Sequence, residues 1–170
     1  VSGIADKNTF ENGFFWNNYK SIESDLLRFL EYVPYFESNT EMYSPKLTGL
    51  LLQIGGYVDS AFKEMANYFS FGEVKSYKKK RGVVTEKKEM KAIEDIIDAY
   101  CVFESIYGLS FNNGGHLIAK LDFGNKKLYP FKNFSSNYEP SDWWYAYNKV
   151  KHEYSLHYEK ASIDNVLEGL

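Results

Sequence analysis

The sequence is poor in the residues that staple small proteins or hold metals. Cys101 is its only cysteine. No disulfide can form within the chain, which fits a reducing cytoplasm. Zinc sites built on cysteine pairs are excluded with it. Histidine is scarce, with 3 in the chain. His152 and His157 lie roughly 140° apart around a helix, so a straight helix cannot bring both to one ion. His116 is remote from both in sequence. Without an HExxH pair or a clustered carboxylate set, no metal is expected. Long apolar runs are missing too. The longest, near Leu47–Val58, is broken by Gln53, Gly55 and Gly56 and is too short to cross a bilayer. No signal-peptide pattern is visible. The expectation is a cytoplasmic protein with no membrane association. The glycines match neither the phosphate loop nor the dinucleotide fingerprint, and no nucleophilic triad has a local signature. No cofactor is expected. The chain begins without Met and ends within an amphipathic pattern, as a trimmed chain would.

What the chain does have is aromatic surface. Aromatic residues make up 18% of it, with 15 Tyr and 13 Phe, and hydrophobic residues make up 44%. That composition suits one ordered domain over residues 1–170 with a sizeable core. Tyrosine serves cores and wet interfaces equally, because its ring packs while its tip stays polar. The net charge of -3 argues against a wholly basic nucleic-acid binder. The charge is unevenly spread, however. Residues 1–74 hold 5 basic and 10 acidic side chains, a balance of -5. Residues 75–91 hold 8 basic and 2 acidic, a balance of +6. Residues 92–170 hold 7 basic and 11 acidic, a balance of -4. One short segment carries the positive field.

The hydrophobic pattern is helical. Phe15, Tyr19, Ile22, Leu26, Leu27 and Leu30 recur at helical spacing over about 14–33, and Pro34 stops the pattern. Ser44-Pro45 supplies a hydroxyl cap followed by proline at the first helical position. A second helix is expected from Pro45 to about Tyr68, carrying Leu50, Leu51, Ile54, Val58, Phe62 and Met65. Gly55-Gly56 in its middle weakens a helix. Close approach of a neighbouring helix is one reason for the pair, and a ligand contact is another. Residues 70–86 read as an exposed loop. A third helix is expected from about Thr85 to Tyr107. Residues 109–140 look irregular, with a small hairpin of Leu117–Leu121 and Lys127–Phe131 across Gly124-Asn125. Ser141 or Asp142 caps a fourth helix, and Ala161-Ser162 restarts a last one. The sum is an all-α bundle of about five helices with one irregular excursion.

The stretch Trp143–Leu170 reads WWYAYNKVKHEYSLHYEKASIDNVLEGL. At 100° per residue it has two faces. Trp143, Tyr147, Val150, Tyr154 and His157 form one aromatic stripe, expected to be buried. Tyr145, Asn148, Lys149 and His152 lie opposite. That ordered polar stripe is the candidate site. Histidine is the usual acid or base near neutral pH, so His152 leads. Lys151 or Lys149 can stabilise charge developing on a phosphate without a metal. Asn148, one turn before His152, can orient the imidazole or hold a phosphate oxygen. These are the parts a metal-free ribonuclease needs. They also fit an ordinary exposed helix face. The second candidate is KSYKKKR at 75–81. Lys78, Lys79, Lys80 and Arg81 suit phosphate contacts, and Tyr77 suits base stacking. A solvated connection between helices accounts for them equally well.

The C-terminal run resembles the signature of HEPN-like proteins, all-α domains of prokaryotic toxin–antitoxin and phage-defence systems. The residues that carry the resemblance are Trp144, Tyr147, Asn148, Lys151, His152 and Glu153, then Ala161, Asn165, Val166 and Leu167. Tyr43-Ser44, Val58-Asp59, Lys63 and Pro130-Phe131 are similar as well. The resemblance implies a helical bundle that often dimerises around a polar cleft. It implies metal-independent endoribonuclease activity in members with an arginine a few residues before the histidine. Here no arginine precedes either histidine at that spacing; Lys151, ahead of His157, could substitute for the charge, and Tyr154 stands where the relatives' pattern has arginine. Lysine lacks the planar fork that grips phosphate. Many HEPN-like domains are non-catalytic RNA-binding or assembly modules. Two expectations follow. One is an RNA-directed homodimer, catalytic or not. The other is a non-enzymatic module that binds a partner protein, such as an antitoxin, through the Tyr145/Asn148/His152 face.

Overall fold

The computed structural model describes residues 13–68, 75–80, 83–89, 96, 99–100, 103, 119–120, 127–131 and 140–170. Within them the architecture is the expected all-α bundle. Helix α1 spans Phe14–Tyr32 and α2 spans Pro45–Tyr68. Gly13 leads into α1 from a left-handed backbone, φ 66°, which glycine adopts without a Cβ clash. Ile22 and Leu26 form the buried edge of α1, while Leu27 faces solvent. Ser44 caps α2 as the sequence predicts. Its Oγ accepts the Leu47 N–H at 3.2 Å.

Helix α2 is the central element. Leu47, Leu50, Leu51 and Ile54 are almost fully buried. The helix packs on α1, on α3 (Asp142–His152) and on α5 (Ile163–Gly169). Gly55 sits where the ring of Tyr147 meets α2, and a Cβ there would clash with that ring. Close helix approach is therefore the reason for this glycine. Gly56 is different: a Cβ added to it meets nothing within 4 Å among the described residues. From the other side, α5 contributes Ile163, Val166 and Leu167 to the same core. Ser162 caps α5 by accepting the Asn165 N–H at 3.3 Å. Two backbone bonds, Ile163 N–H to Met42 O at 3.0 Å and Asp164 N–H to Thr40 O at 3.2 Å, tie α5 to the segment before α2.

Three segments differ from the sequence expectation. Part of the expected 70–86 loop is an antiparallel ribbon, β1 (Lys75–Lys80) paired with β2 (Val83–Glu89). Lys75 stands opposite Glu89 and Lys78 opposite Glu86, with a register shift between Lys78 and Lys79. Opposite charges at paired positions and the β-branched run Val83-Val84-Thr85 favour this pairing. Thr85 therefore belongs to a strand, not to the start of the third helix. That helix is represented by Ile96, Ala99, Tyr100 and Phe103, all helical and buried.

The second difference is in the expected hairpin. β3 (Ala119–Lys120) pairs with β4 (Lys127–Leu128) as proposed, with Ala119 opposite Leu128. Phe131 is not part of β4 but lies in a turn. It packs its ring on Phe62 at 5.5 Å and on Tyr100 at 6.1 Å. Its burial among these rings places it in the core.

The third difference bears on function. Helix α3 stops at His152, because Glu153 leaves the helical region with φ -137° and ψ 44°. A single turn, α4 (Tyr154–His157), and a 3₁₀ turn over Tyr158–Lys160 follow. Trp143, Tyr147 and Val150 are buried as expected. Tyr154, expected on the same buried stripe, is 50% exposed. His157 is also partly exposed. Once the helix breaks, the 100° step no longer carries the stripe forward.

Candidate functional site

The end of α3 is built by its two faces. Trp143, Trp144, Ala146, Tyr147 and Val150 lock one side into the core. The Trp143 indole also donates to the Pro130 carbonyl at 2.9 Å. Lys149, Lys151 and His152 occupy the last turn, where cations complement the negative end of the helix dipole. Asp142 does the converse in the first turn. Ser141 precedes the helix, yet its hydroxyl makes no capping bond and is buried without a partner among the described residues.

The predicted site residues of α3, Asn148, Lys149, Lys151 and His152, share the end of one helix but not a hydrogen-bonded network. His152 is exposed at the helix end and has no hydrogen-bond partner among the described residues. Asn148 donates its amide N–H to the Trp144 carbonyl at 2.9 Å, so its side chain serves the backbone rather than the imidazole. Lys149 pairs with both Glu153 oxygens at 3.1 and 3.2 Å. Lys151 lies 5.3 Å from the Tyr147 ring centroid, a cation–π distance. Of the basic segment, Lys78, Lys79 and Lys80 are backbone positions of β1. Arg81 lies outside the described residues, as do His116 and Cys101. Among the described residues no group of three or more His, Cys, Asp or Glu could hold a metal ion. None of the described helices is long and apolar enough to cross a membrane.

Two sets of contacts on this surface were not read from the sequence. The first centres on Glu153, the residue at the helix break. It accepts from Lys149 with both oxygens, and His157 Nε2 lies 3.1 Å from one of them, Oε2. The hydrogen bond from Lys149, more than that with His157, holds its carboxyl below the usual carboxylate range. The sign follows: any stability from this pairing is present above the ordinary carboxylate range and is lost as pH falls below it. The only sequence signal was the Lys149/Glu153/His157 spacing of four, which suits i,i+4 pairs. The second is a tyrosine cluster. Tyr43 and Tyr158 meet edge to face at 5.2 Å, and Tyr154 joins Tyr158 at 6.5 Å. A hydrogen bond with Tyr43 raises the Tyr158 hydroxyl above its ordinary value. Tyr145 is exposed nearby in the chain, with the Lys160 ammonium 5.6 Å from its ring. No local pattern announces Tyr43 as a neighbour of Tyr158. That contact comes from the pairing of Tyr43 with Ser162.

Compared with protein-family models, curated proteins and solved structures, the chain matches none.

Proposed function

We propose that the chain is a HEPN-like, RNA-directed protein of the toxin–antitoxin or defence type. In this reading it meets RNA with the β1–β2 ribbon and with the exposed end of α3. The observation that carries the reading is the last turn of α3. Its aromatic face is committed to the core, while Lys149, Lys151 and His152 remain at the surface. The ribbon adds six lysines against two glutamates, Glu86 and Glu89, on paired strands within the most basic segment of an acidic chain. Phosphate contacts of that kind bring salt-dependent affinity.

Cleavage in this reading needs no metal. His152 removes the proton of an RNA 2′-hydroxyl, and the 2′-oxygen attacks the adjacent phosphorus. The 5′-oxygen leaves and takes a proton from solvent. Lys151, whose ammonium is not tied to a carboxylate among the described residues, offsets the extra charge on the phosphate oxygens. Two assays test the proposal together. Replacing Lys78, Lys79, Lys80 and Arg81 with Gln should weaken RNA binding and flatten its salt dependence, because fewer counterions are released. Total RNA incubated in EDTA should be cut by the wild type and spared by His152→Ala. Unchanged affinity and salt slope remove the ribbon from the interface. Cutting that survives His152→Ala removes the histidine from the chemistry.

The exposed tyrosines favour a second reading, a non-catalytic module that binds an antitoxin-like partner protein. Tyr43, Tyr145, Tyr154 and Tyr158 are all exposed, and tyrosine is enriched where protein surfaces meet. Both readings include a homodimer across the Tyr145/His152 face, since a two-fold contact is self-complementary. Sedimentation at micromolar concentration should give a dimer, and Tyr145→Arg should give a monomer. A monomeric wild type ends the dimer proposal.

A further inference from the structure

An open groove between α1 and α2 has a volume of about 430 Å³. That lies within the usual span of small-molecule sites, roughly 300–1,000 Å³. His152 and the tyrosine cluster do not line it. Its walls have a definite chemistry. Phe14, Phe15 and Tyr57 supply aromatic rings, and Asp25 and Glu64 supply carboxylates. Tyr57 is fixed across the two helices by donating its hydroxyl to the Phe15 carbonyl at 3.1 Å. Asn18, Ser21, Gln53 and Ser60 line the groove as well, and none of their side chains has a hydrogen-bond partner among the described residues. No Lys, Arg or His lines it.

From this chemistry we propose that the groove binds a small organic cation, an amine carried on an apolar body. Ring faces attract cations through their quadrupole, and a carboxylate pairs with an ammonium. A phosphate or carboxylate ligand would meet two carboxylates and no compensating cation in the walls. Asp25 is partly answered by Lys46 at 3.6 Å and Arg28 at 3.9 Å, neither of which lines the groove. Glu64 has no ion-pair partner among the described residues. It is the principal anchor for the ammonium, with Asp25 second.

Gly56 is a further feature of the same groove. Glycine weakens a helix interior relative to alanine. At Gly55 the ring of Tyr147 explains the missing Cβ. At Gly56 no described neighbour does, and the residue lines the groove. A side chain here would project into space that the groove otherwise leaves open. Glycine at this position keeps room for a ligand.

The site is independent of the RNA proposal, because it selects cations and its residues lie on α1 and α2. Calorimetric titration of the full chain with phenethylamine and hexamethylenediamine tests it, with phenylacetate as the anionic control. The amines should bind and phenylacetate should not. Glu64→Gln should weaken amine binding by about tenfold or more. Gly56→Leu should abolish it without lowering the melting temperature. Gly49→Ala is the control, since Gly49 also has open space around its Cβ position but does not line the groove. That variant should bind as the wild type does. Absence of amine binding at millimolar concentration overturns the proposal, as does equal binding of phenylacetate. So does wild-type affinity in a folded Gly56→Leu. Should Gly56→Leu not fold, unchanged affinity in Glu64→Gln overturns it instead.

Discussion

Gly55→Ala is expected to destabilise the protein by about 2–3 kcal/mol, although alanine is the better helix former. The added methyl group would occupy space held by the Tyr147 ring. Tyr147 is only 4% exposed and is packed against Trp144, with ring centroids 4.9 Å apart, so it has little room to retreat. Helices α2 and α3 must separate or the ring must leave its rotamer. Tyr147→Ala alone should cost about 3–5 kcal/mol from lost burial and the cavity left behind. The two changes should not add. In the double variant the new methyl group fills part of the vacated space, and the sum should fall short by about 1–3 kcal/mol. Urea denaturation of the wild type, both single variants and the double variant measures this coupling. A Gly55→Ala protein as stable as the wild type would falsify the α2–α3 contact. The neighbouring Gly56→Ala offers the opposite sign. It has space for its methyl group and should gain up to about 1 kcal/mol from helix propensity. Adjacent glycines with opposite responses would separate tertiary contact from propensity within one experiment.

Trp143→Ala should be at least as damaging, at about 3–5 kcal/mol. The indole is 1% exposed and joins several elements at once. Its Nε1 donates to the Pro130 carbonyl at 2.9 Å, outside α3. Its ring crosses Trp144 at 5.3 Å. It also lies against α5, where a Cβ on Gly169 would come within 2.7 Å of its Cε3. Removing it opens a cavity between α3, α5 and the segment before α3, in a core packed too tightly to collapse fully. Trp143→Phe separates the two contributions. It keeps most of the ring burial but leaves the Pro130 carbonyl without its donor, a loss of about 1–3 kcal/mol. Chemical denaturation monitored by circular dichroism gives both values. If Trp143→Ala shifts the midpoint no more than an exposed Tyr145→Ala does, Trp143 is not the keystone of this core.

Much of the fold was legible in the sequence because its signals are local. The hydroxyl of Ser44 before Pro45, the stop at Pro34 and the cap at Ser162 each act within a few residues of themselves. The helical recurrence of Trp143, Tyr147 and Val150 named a buried face, and they are buried. The outward positions of Tyr145 and His152 followed from the same period. The concentration of positive charge at 75–91 is a property of the chain alone.

Tertiary structure decided the rest, because the deciding contacts join residues far apart in the chain. Nothing local marks Glu153 as the end of α3, since neither glycine nor proline stands there. The break exposes Tyr154, and the long-range pairing of Tyr43 with Ser162 sets Tyr43 against Tyr158. The lysine run at 75–80 reads as solvated chain until its partner strand is known, because a strand is completed by another strand's hydrogen bonds. The glycine pair holds the same lesson at atomic scale. Gly55 and Gly56 are identical residues one step apart on α2. That step turns one toward Tyr147 and the other toward the groove, and only the neighbouring helices give each its meaning.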